Sequence, residues 1–323
     1  MRWIVILILI VAASPAYAQE LYLLGGGVRN LGSADSSFSW QLEYMEGLGE
    51  HFAYSLSYLN EGHVPTHHRD GNAGQLWVRT NLLDRRLSLA AGVGPYYYFD
   101  TTKAMAGASF SDDHGWKTMF SLGATWYTES RWLFQLRANL VEMGSSIDTL
   151  STLFGVGYQL DPPPSPGPLP HAPGRQEKTT NNEITVFLGR TIVNSFGSEH
   201  SVATAVEYRR GLGRYLDWTA GWLYEGDNRQ IRRHGLTTQL WAVKAFLDDR
   251  LALGIGGGAY LCVNRQTDAQ HNGDDKGLLS GIVTLSASYR FHPHWDLRTS
   301  WNRIVTNYDR DTDVIMGGVG YRF

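Results

Sequence analysis

The stretch YLNEGHVPTHHRDGNAGQLW, residues 58 to 77, returns 164 positions later as WLYEGDNRQIRRHGLTTQLW, residues 222 to 241. Aligned without gaps, the copies match Leu59 with Leu223, Glu61 with Glu225, Gly62 with Gly226, Arg69 with Arg233 and Gly71 with Gly235, and the triplet Gln75, Leu76, Trp77 with Gln239, Leu240, Trp241. The chain is therefore a duplication, and whatever one unit does the protein contains twice.

Outward from the first copy, the first half breaks into eight segments of alternating apolar character, at about 21 to 30, 36 to 46, 51 to 61, 73 to 83, 87 to 100, 116 to 128, 132 to 143 and 148 to 160. Period-two alternation is the mark of a strand with two unlike faces. In SFSWQLEYM, Phe38, Trp40, Leu42 and Tyr44 share one face, and Ser39, Gln41 and Glu43 the other. The apolar set is rich in Tyr, Trp, Phe and Leu, whereas the polar set carries many Gly, Ala and Ser. Connections alternate in length: 47–50, 84–86 and 129–131 are tight turns, and 31–35, 62–72 and 103–115 are longer and polar. From Glu183 the same pattern restarts, with tight turns at 212–214, 248–250 and 292–294 and longer loops at 228–234 and 266–277.

The chain begins with an apolar run from Trp3 to Ala13, then Pro15 and Ala16-Tyr17-Ala18, which reads as an export signal over 1–18. No other stretch reaches about eighteen uninterrupted apolar residues, so spanning helices are not expected. The single Cys262 excludes an intramolecular disulfide framework. A formal net charge of −3, with no clustered basic surface, gives no indication of nucleic acid. Residues 161–182 hold seven of the eleven prolines and read as a linker of polyproline character that cannot supply a central strand. The expected organisation is a signal at 1–18, a first repeat at 19–160, the linker at 161–182 and a second repeat at 183–323.

Short turns at one end and longer loops at the other resemble the bacterial outer-membrane barrels, whose short side is periplasmic. GVGYQL at 155–160 and GVGYRF at 318–323 resemble the terminal strand signal by which such proteins are handed to the barrel assembly machinery. The fold class this implies is all-β, a transmembrane antiparallel up-and-down barrel in two tandem eight-stranded units. The alternative is one sixteen-stranded barrel. The inward series Ser88, Ala90, Gly92, Gly94 and Ala252, Gly254, Gly256, Gly258, each ending in a tyrosine, Tyr96 or Tyr260, favours small filled barrels over a wide channel. So do inward Trp77, Trp241 and Met119.

By parity the polar faces carry complementary charges. Glu43 and Glu61 share the inward face with Arg79 and Arg137, beside Gln75, Gln135 and Asn139; the second repeat offers Glu207, Glu225, Gln239, Arg298 and Asn302. A buried charge must be paired, so this set reads as an interior polar network that holds each barrel closed. Arg69 and Arg233 are candidates of a second kind, in outer loops beside a rim glutamate, where an ion pair of Glu61 with Arg69 and of Glu225 with Arg233 fixes the loop over the barrel mouth or the arginines meet lipid phosphate.

The strand ending in a polar cluster, followed by a Gly- and Asn-containing loop, resembles the small outer-membrane barrels of the lipid A deacylase class. That class carries a His-x-Ser-Asn run there, whereas this chain has Asn60-Glu61-Gly62-His63 and Tyr224-Glu225-Gly226-Asp227. The resemblance therefore reaches the fold and not the catalytic pair. His63, His67 and His68 with Asp70 suggest zinc or copper, but the second copy has Asp227, Ile231 and Arg232 at the three histidine places, so no metal site is assigned. No cofactor is expected either. Asp112-Asp113-His114 and Asp274-Asp275-Lys276 read as loop tips, and Cys262 as a small packed residue. The resulting expectation is an outer-membrane protein, exported across the inner membrane and embedded in outer-membrane lipid, that acts without catalysis as an anchor or binding surface for an unidentified external ligand. A sixteen-stranded channel and a lipid A-modifying hydrolase are the alternatives.

Overall fold

The computed structural model describes residues 19–103, 110–142, 147–160, 165–168, 182–195, 197–212, 215–228, 230–247, 249–266 (264–266 by backbone only), 278–308 and 310–323. The proposed signal, most of the proline-rich linker and the 274–276 run lie outside the described residues.

The first repeat forms β1 (Gln19–Asn30), β2 (Ser36–Gly47), β3 (Phe52–Asn60), β4 (His67–Leu82), β5 (Leu87–Thr102), β6 (Ser111–Tyr127), β7 (Trp132–Glu142) and β8 (Thr149–Gln159). The second forms β9 (Asn182–Val193), β10 (His200–Gly211), β11 (Leu216–Asp227), β12 (Arg232–Phe246), β13 (Leu251–Gln266), β14 (Leu279–His292), β15 (Trp295–Val305) and β16 (Thr312–Arg322). Each strand pairs antiparallel with its sequence neighbours, and each set of eight closes on itself. β8 pairs with β1 from Glu20 opposite Gln159 to Asn30 opposite Thr149. β16 pairs with β9 from Arg322 opposite Glu183 to Thr312 opposite Val193. The single sixteen-stranded ring is thereby overturned, because it would need β8 to pair with β9. Closure leaves no edge strand with unpaired amides.

Three strands begin earlier than the apolar alternation suggests. β4 starts at His67, β12 at Arg232 and β6 at Ser111, so Arg69, Arg233 and the 112–114 run belong to strands and not to loops. The reason is chemical: His67 to Asn72 has no large apolar side chain on either face, so the hydrophobic signal stops before the hydrogen-bonded ladder does. The connection from β3 to β4 then turns at Gly62, whose φ of 63° suits glycine. A Cβ there would lie 2.2 Å from the Phe38 carbonyl oxygen, and Gly226, at φ 90°, meets Ser201 and Val202 in the same way. This is why the Glu-Gly pair recurs in both copies.

An eight-stranded barrel has an interior just wide enough for side chains to fill. Among the inward small residues of β5 and β13, Gly92 and Gly256 make room for the tryptophan of the adjacent strand. Trp77 pairs across from Gly92 and Trp241 from Gly256, and a Cβ at those glycines would lie 2.5 Å and 2.6 Å from the indole rings. The β4–β5 turn holds Leu83, Asp84 and Arg85 in left-handed conformations, and Leu247 and Asp249 repeat this in the second barrel. Such residues cost on the order of 1 kcal/mol each, offset in part by the Arg86 N–H bond to the Leu83 carbonyl at 3.1 Å and its counterpart from Arg250 to Leu247 at 3.3 Å.

Replacing Gly92 by Val should overpack the first barrel against Trp77 and cost about 1–3 kcal/mol, read as a lower midpoint of urea unfolding in detergent; Gly25→Ala, whose Cβ meets nothing within 4 Å, should leave the midpoint unchanged.

Candidate functional site

The polar interior is built in layers. At the long-loop end of the first barrel, Glu61 follows the last residue of β3 and Arg69 lies on β4, both buried. Arg69 Nε donates to Glu61 Oε2 at 2.5 Å and Nη2 to Oε1 at 2.9 Å. The remaining Arg69 donors reach the Ile147 carbonyl at 2.7 Å and Thr149 Oγ1 at 2.6 Å. The Thr149 hydroxyl itself donates to Glu61, and Tyr96 Oη donates to the same carboxylate at 3.2 Å. One ion pair thus ties β3, β4, β5 and β8 together across the closing seam.

The second barrel repeats the clamp. Arg233 Nε and Nη2 donate to Glu225 at 2.5 and 2.6 Å, Nη2 also reaches Thr312 at 2.9 Å, and Thr312 donates to Glu225 at 2.6 Å. Arg233 Nη1 donates to Tyr308 Oη at 2.9 Å and to the Arg310 carbonyl at 3.1 Å. Arg69 and Arg233 are each 1 % exposed, so neither is a loop residue within reach of lipid phosphate. They sit inside because Arg69 makes four hydrogen bonds there and Arg233 five, which lowers the cost of desolvation.

The middle layer is uncharged. In the first barrel Gln75 donates to Ser121 at 3.0 Å, Ser121 to Asn139 at 2.7 Å, and Asn139 to Gln41 at 2.9 Å. In the second, the Thr284 hydroxyl lies 2.8 Å from both Gln239 and Asn302. Below this layer lie the tryptophans, whose indole N–H groups donate to Ser55 and Thr219, each at 2.9 Å.

A guanidinium covers each indole face, but it comes from different strands. Arg137 on β7 lies 4.2 Å from the Trp77 ring centre and is held by Glu43 at 2.6 and 2.9 Å and by Gln135 at 2.9 Å. In the second barrel the cation is Arg209 on β10, 4.4 Å from the Trp241 ring centre, while the place of Arg137 is taken by Ser300. Arg298 on β15 pairs with Glu183 at 2.5 Å and Glu207 at 3.0 Å.

Glu43 is thus paired with Arg137 and Glu207 with Arg298, while Gln75 is linked to Asn139 through Ser121 and Gln239 to Asn302 through Thr284. Arg79 is not paired with either glutamate. It caps the tight β2–β3 turn, donating to the carbonyls of Gly49 at 2.8 Å and Glu50 at 3.0 Å. Several members escape a search for charges within the apolar segments: Glu20, bound by Tyr22 at 2.6 Å and Tyr127 at 3.0 Å; the seam threonines Thr149 and Thr312; and Asp296 with Arg322 at 2.8 Å. The two copies do hold a signal for them, because Glu20 and Glu183, and Thr149 and Thr312, are equally spaced.

At the rim of the first barrel His63 stacks on His68 with ring centres 4.1 Å apart, while His67 Nδ1 lies 2.8 Å from Asp100. Among the described residues no group of three or more His, Cys, Asp or Glu gathers as a metal site would require. Asp112 and Asp113 accept from Thr101 at 2.9 Å and Tyr98 at 2.8 Å, as strand residues of β6. Cys262 is buried on the inner face.

Fold and interior together define a tandem of closed, filled eight-stranded antiparallel barrels. No family model matches the chain, and no curated protein matches it. Among solved structures it is similar to a designed transmembrane β-barrel (13% identity, 46% of this chain and 99% of that one, TM-score 0.33). It is also similar to the N-terminal β-barrel domain of Pseudomonas aeruginosa OprF (14% identity, 45% and 98%, TM-score 0.33). The translocator domain of the autotransporter NalP from Neisseria meningitidis matches at 12% identity over 100% and 94%, with a TM-score of 0.22. Likenesses this distant carry no argument about what the chain does.

Truncating one side of a clamp leaves a buried charge alone. Glu225→Ala is expected to cost about 3–5 kcal/mol in urea unfolding, whereas the paired change Glu225→Leu with Arg233→Met is expected to cost much less; equal losses for single and double variants would remove the clamp.

Proposed function

We infer that the chain is an outer-membrane protein whose two barrels each span the bilayer and present their longer connections outside as an anchor or binding surface. The observation that carries this is the inverted burial. The largest fully buried side chains include Arg69, Arg137 and Arg233, whereas Leu76, Leu122, Phe154, Val186 and Leu188 are each at least 60 % exposed on the outer faces. A water-soluble domain arranged this way would expose far more contiguous apolar surface than solution tolerates. A hydrocarbon surround removes that cost, and a closed barrel meets the demand that every backbone group be paired there.

Aromatic pairs mark both ends of the apolar band. Trp132 with Tyr158 (5.2 Å) and Trp295 with Tyr321 (5.0 Å) lie near the tight turns. Trp40 with Tyr58 (5.2 Å), Tyr97 with Trp116 (4.9 Å) and Trp222 with His234 (4.9 Å) lie near the longer connections. Such girdles suit the two interfaces of a bilayer. The alternating apolar pattern that ends at Leu160 after β8 and at Phe323 after β16 supports delivery by the barrel assembly machinery, and the apolar run before Gln19 supports prior export. The interior layers leave little room for solute, which favours an anchor over a channel. Glu61, the carboxylate a hydrolase reading would use, is fully engaged by Arg69, Thr149 and Tyr96.

Fractionation should recover the chain with outer membranes, in a form whose gel migration changes on heating; recovery as a detergent-independent periplasmic protein would overturn the reading. Leu122→Arg should destabilise the first barrel by about 2–4 kcal/mol if that position faces the bilayer midplane, and planar-bilayer recordings should show no large stable conductance.

A further inference from the structure

The second barrel encloses a cavity of about 20 Å³, bordered by Glu207, Arg209, Gln239, Thr284, Arg298 and Asn302. It arises where the two repeats differ. Gly123 opposite Arg137 corresponds to Ser286 opposite Ser300, so the second barrel lacks the large side chain that fills the first. Met45, opposite Glu20 and Ser55, corresponds to Arg209, opposite Glu183 and Thr219. The guanidinium that covers the tryptophan is supplied from the other side of the barrel, and space remains between it and Arg298.

That space is bordered by donors in want of acceptors. Arg209 Nε and Nη2 and Arg298 Nε are buried and have no hydrogen-bond acceptor in the protein. The carboxylates nearest Arg209 stand off, with Glu207 at 3.7 Å and Asp217 at 3.6 Å. The two arginines are 7 % and 3 % exposed. A buried N–H without an acceptor costs about 1–3 kcal/mol, more on a charged group, so a guest that accepts from both guanidiniums is favoured.

The charge balance selects the guest. Around the cavity and below it lie Arg209, Arg298 and Arg322 against Glu183, Glu207, Asp217 and Asp296, one carboxylate more than the guanidiniums. An anion would add to that surplus, whereas a neutral molecule can accept from the arginines and donate to Glu207 or Gln239. The volume exceeds the roughly 10–15 Å³ that one water needs, and the polar partners exceed the two to four it uses. We propose that the second barrel contains a built site for one buried water, which joins Arg209 on β10 to Arg298 on β15 and performs the cross-barrel bridging that Arg137 performs in the first.

The test uses the full chain in detergent. Crystals grown in sodium bromide should show one ordered water within hydrogen-bond reach of both arginines; an anomalous bromide peak there, or an empty cavity, overturns the proposal. Ser286→Val would fill the space with methyl groups. It should lower the unfolding temperature of the second barrel by a few degrees in the native background and by clearly less in an Arg209→Met background, where fewer donors are stranded. An equal drop in both backgrounds, or a rise in the native one, overturns it.

Discussion

The barrels depend on a charge that has to be neutralised where water is scarce. Glu61 with Arg69, and Glu225 with Arg233, place an ion pair on the β3–β4 and β11–β12 hairpins that reaches across the interior to a threonine on the last strand of each unit, Thr149 or Thr312. Coulomb attraction alone does not repay the desolvation of two ions. What makes the arrangement stable is completeness. Each arginine also reaches a seam threonine and a backbone carbonyl, so its donors are nearly all used. Closure of the ladder and full satisfaction of the charge therefore go together: the pair itself lies within one hairpin, but an open barrel would deprive the guanidinium of the threonine and carbonyl on the far wall as well as leaving edge amides unpaired.

From that constraint the remaining layers follow. An interior of this diameter admits side chains from all eight strands, and a polar chain of contacts between them must be complete or it costs more than an apolar core. Both repeats solve this with the same sequence of layers, an ion pair, an amide-hydroxyl layer and an indole under a guanidinium. They differ in which wall supplies that guanidinium. The tryptophan and its facing glycine are kept, while the cation moves from β7 to β10. Cation–π contact asks only for a charge over the ring face, and either wall can provide it.

Much of this was legible in the sequence. Period-two alternation located the eight strands of the first repeat and, restarting at Glu183, implied eight more, and the duplication together with the inward small residues favoured two rings over one. Inward parity placed Glu43, Arg137, Gln75 and Asn139 in the interior of the first barrel and Arg298 and Asn302 in that of the second. Parity could not tell which charges meet, because contacts across a barrel depend on stagger as well as face. Arg79 accordingly went to the carbonyls of Gly49 and Glu50 and not to a glutamate. Where a strand has no apolar residues on either face, as from His67 to Asn72, hydrophobic patterning reports a loop, and Arg69 was misplaced outside for that reason. Comparing the copies with each other gives the pair itself, Glu61 with Arg69 and Glu225 with Arg233, but places it between loop and rim, whereas it is buried inside.

The inverted burial also bears on how the fold could use its interior. A channel needs a continuous polar lumen with water between the walls, whereas here the opposite walls touch through Glu43 and Arg137 in one barrel and through Glu207 and Arg298 in the other. Opening the first would separate a fully desolvated pair and opening the second a largely buried one, at a cost comparable to a large part of a domain's net stability. The interior is thus committed to holding the wall together. The two copies vary inside, where the guanidinium over the tryptophan moves from β7 to β10, and also at the outer rims, with His63, His67 and His68 in one and Asp227, Ile231 and Arg232 in the other. Any recognition by this chain is therefore best sought in its longer connections, on a scaffold whose interior groups chiefly hold the wall together.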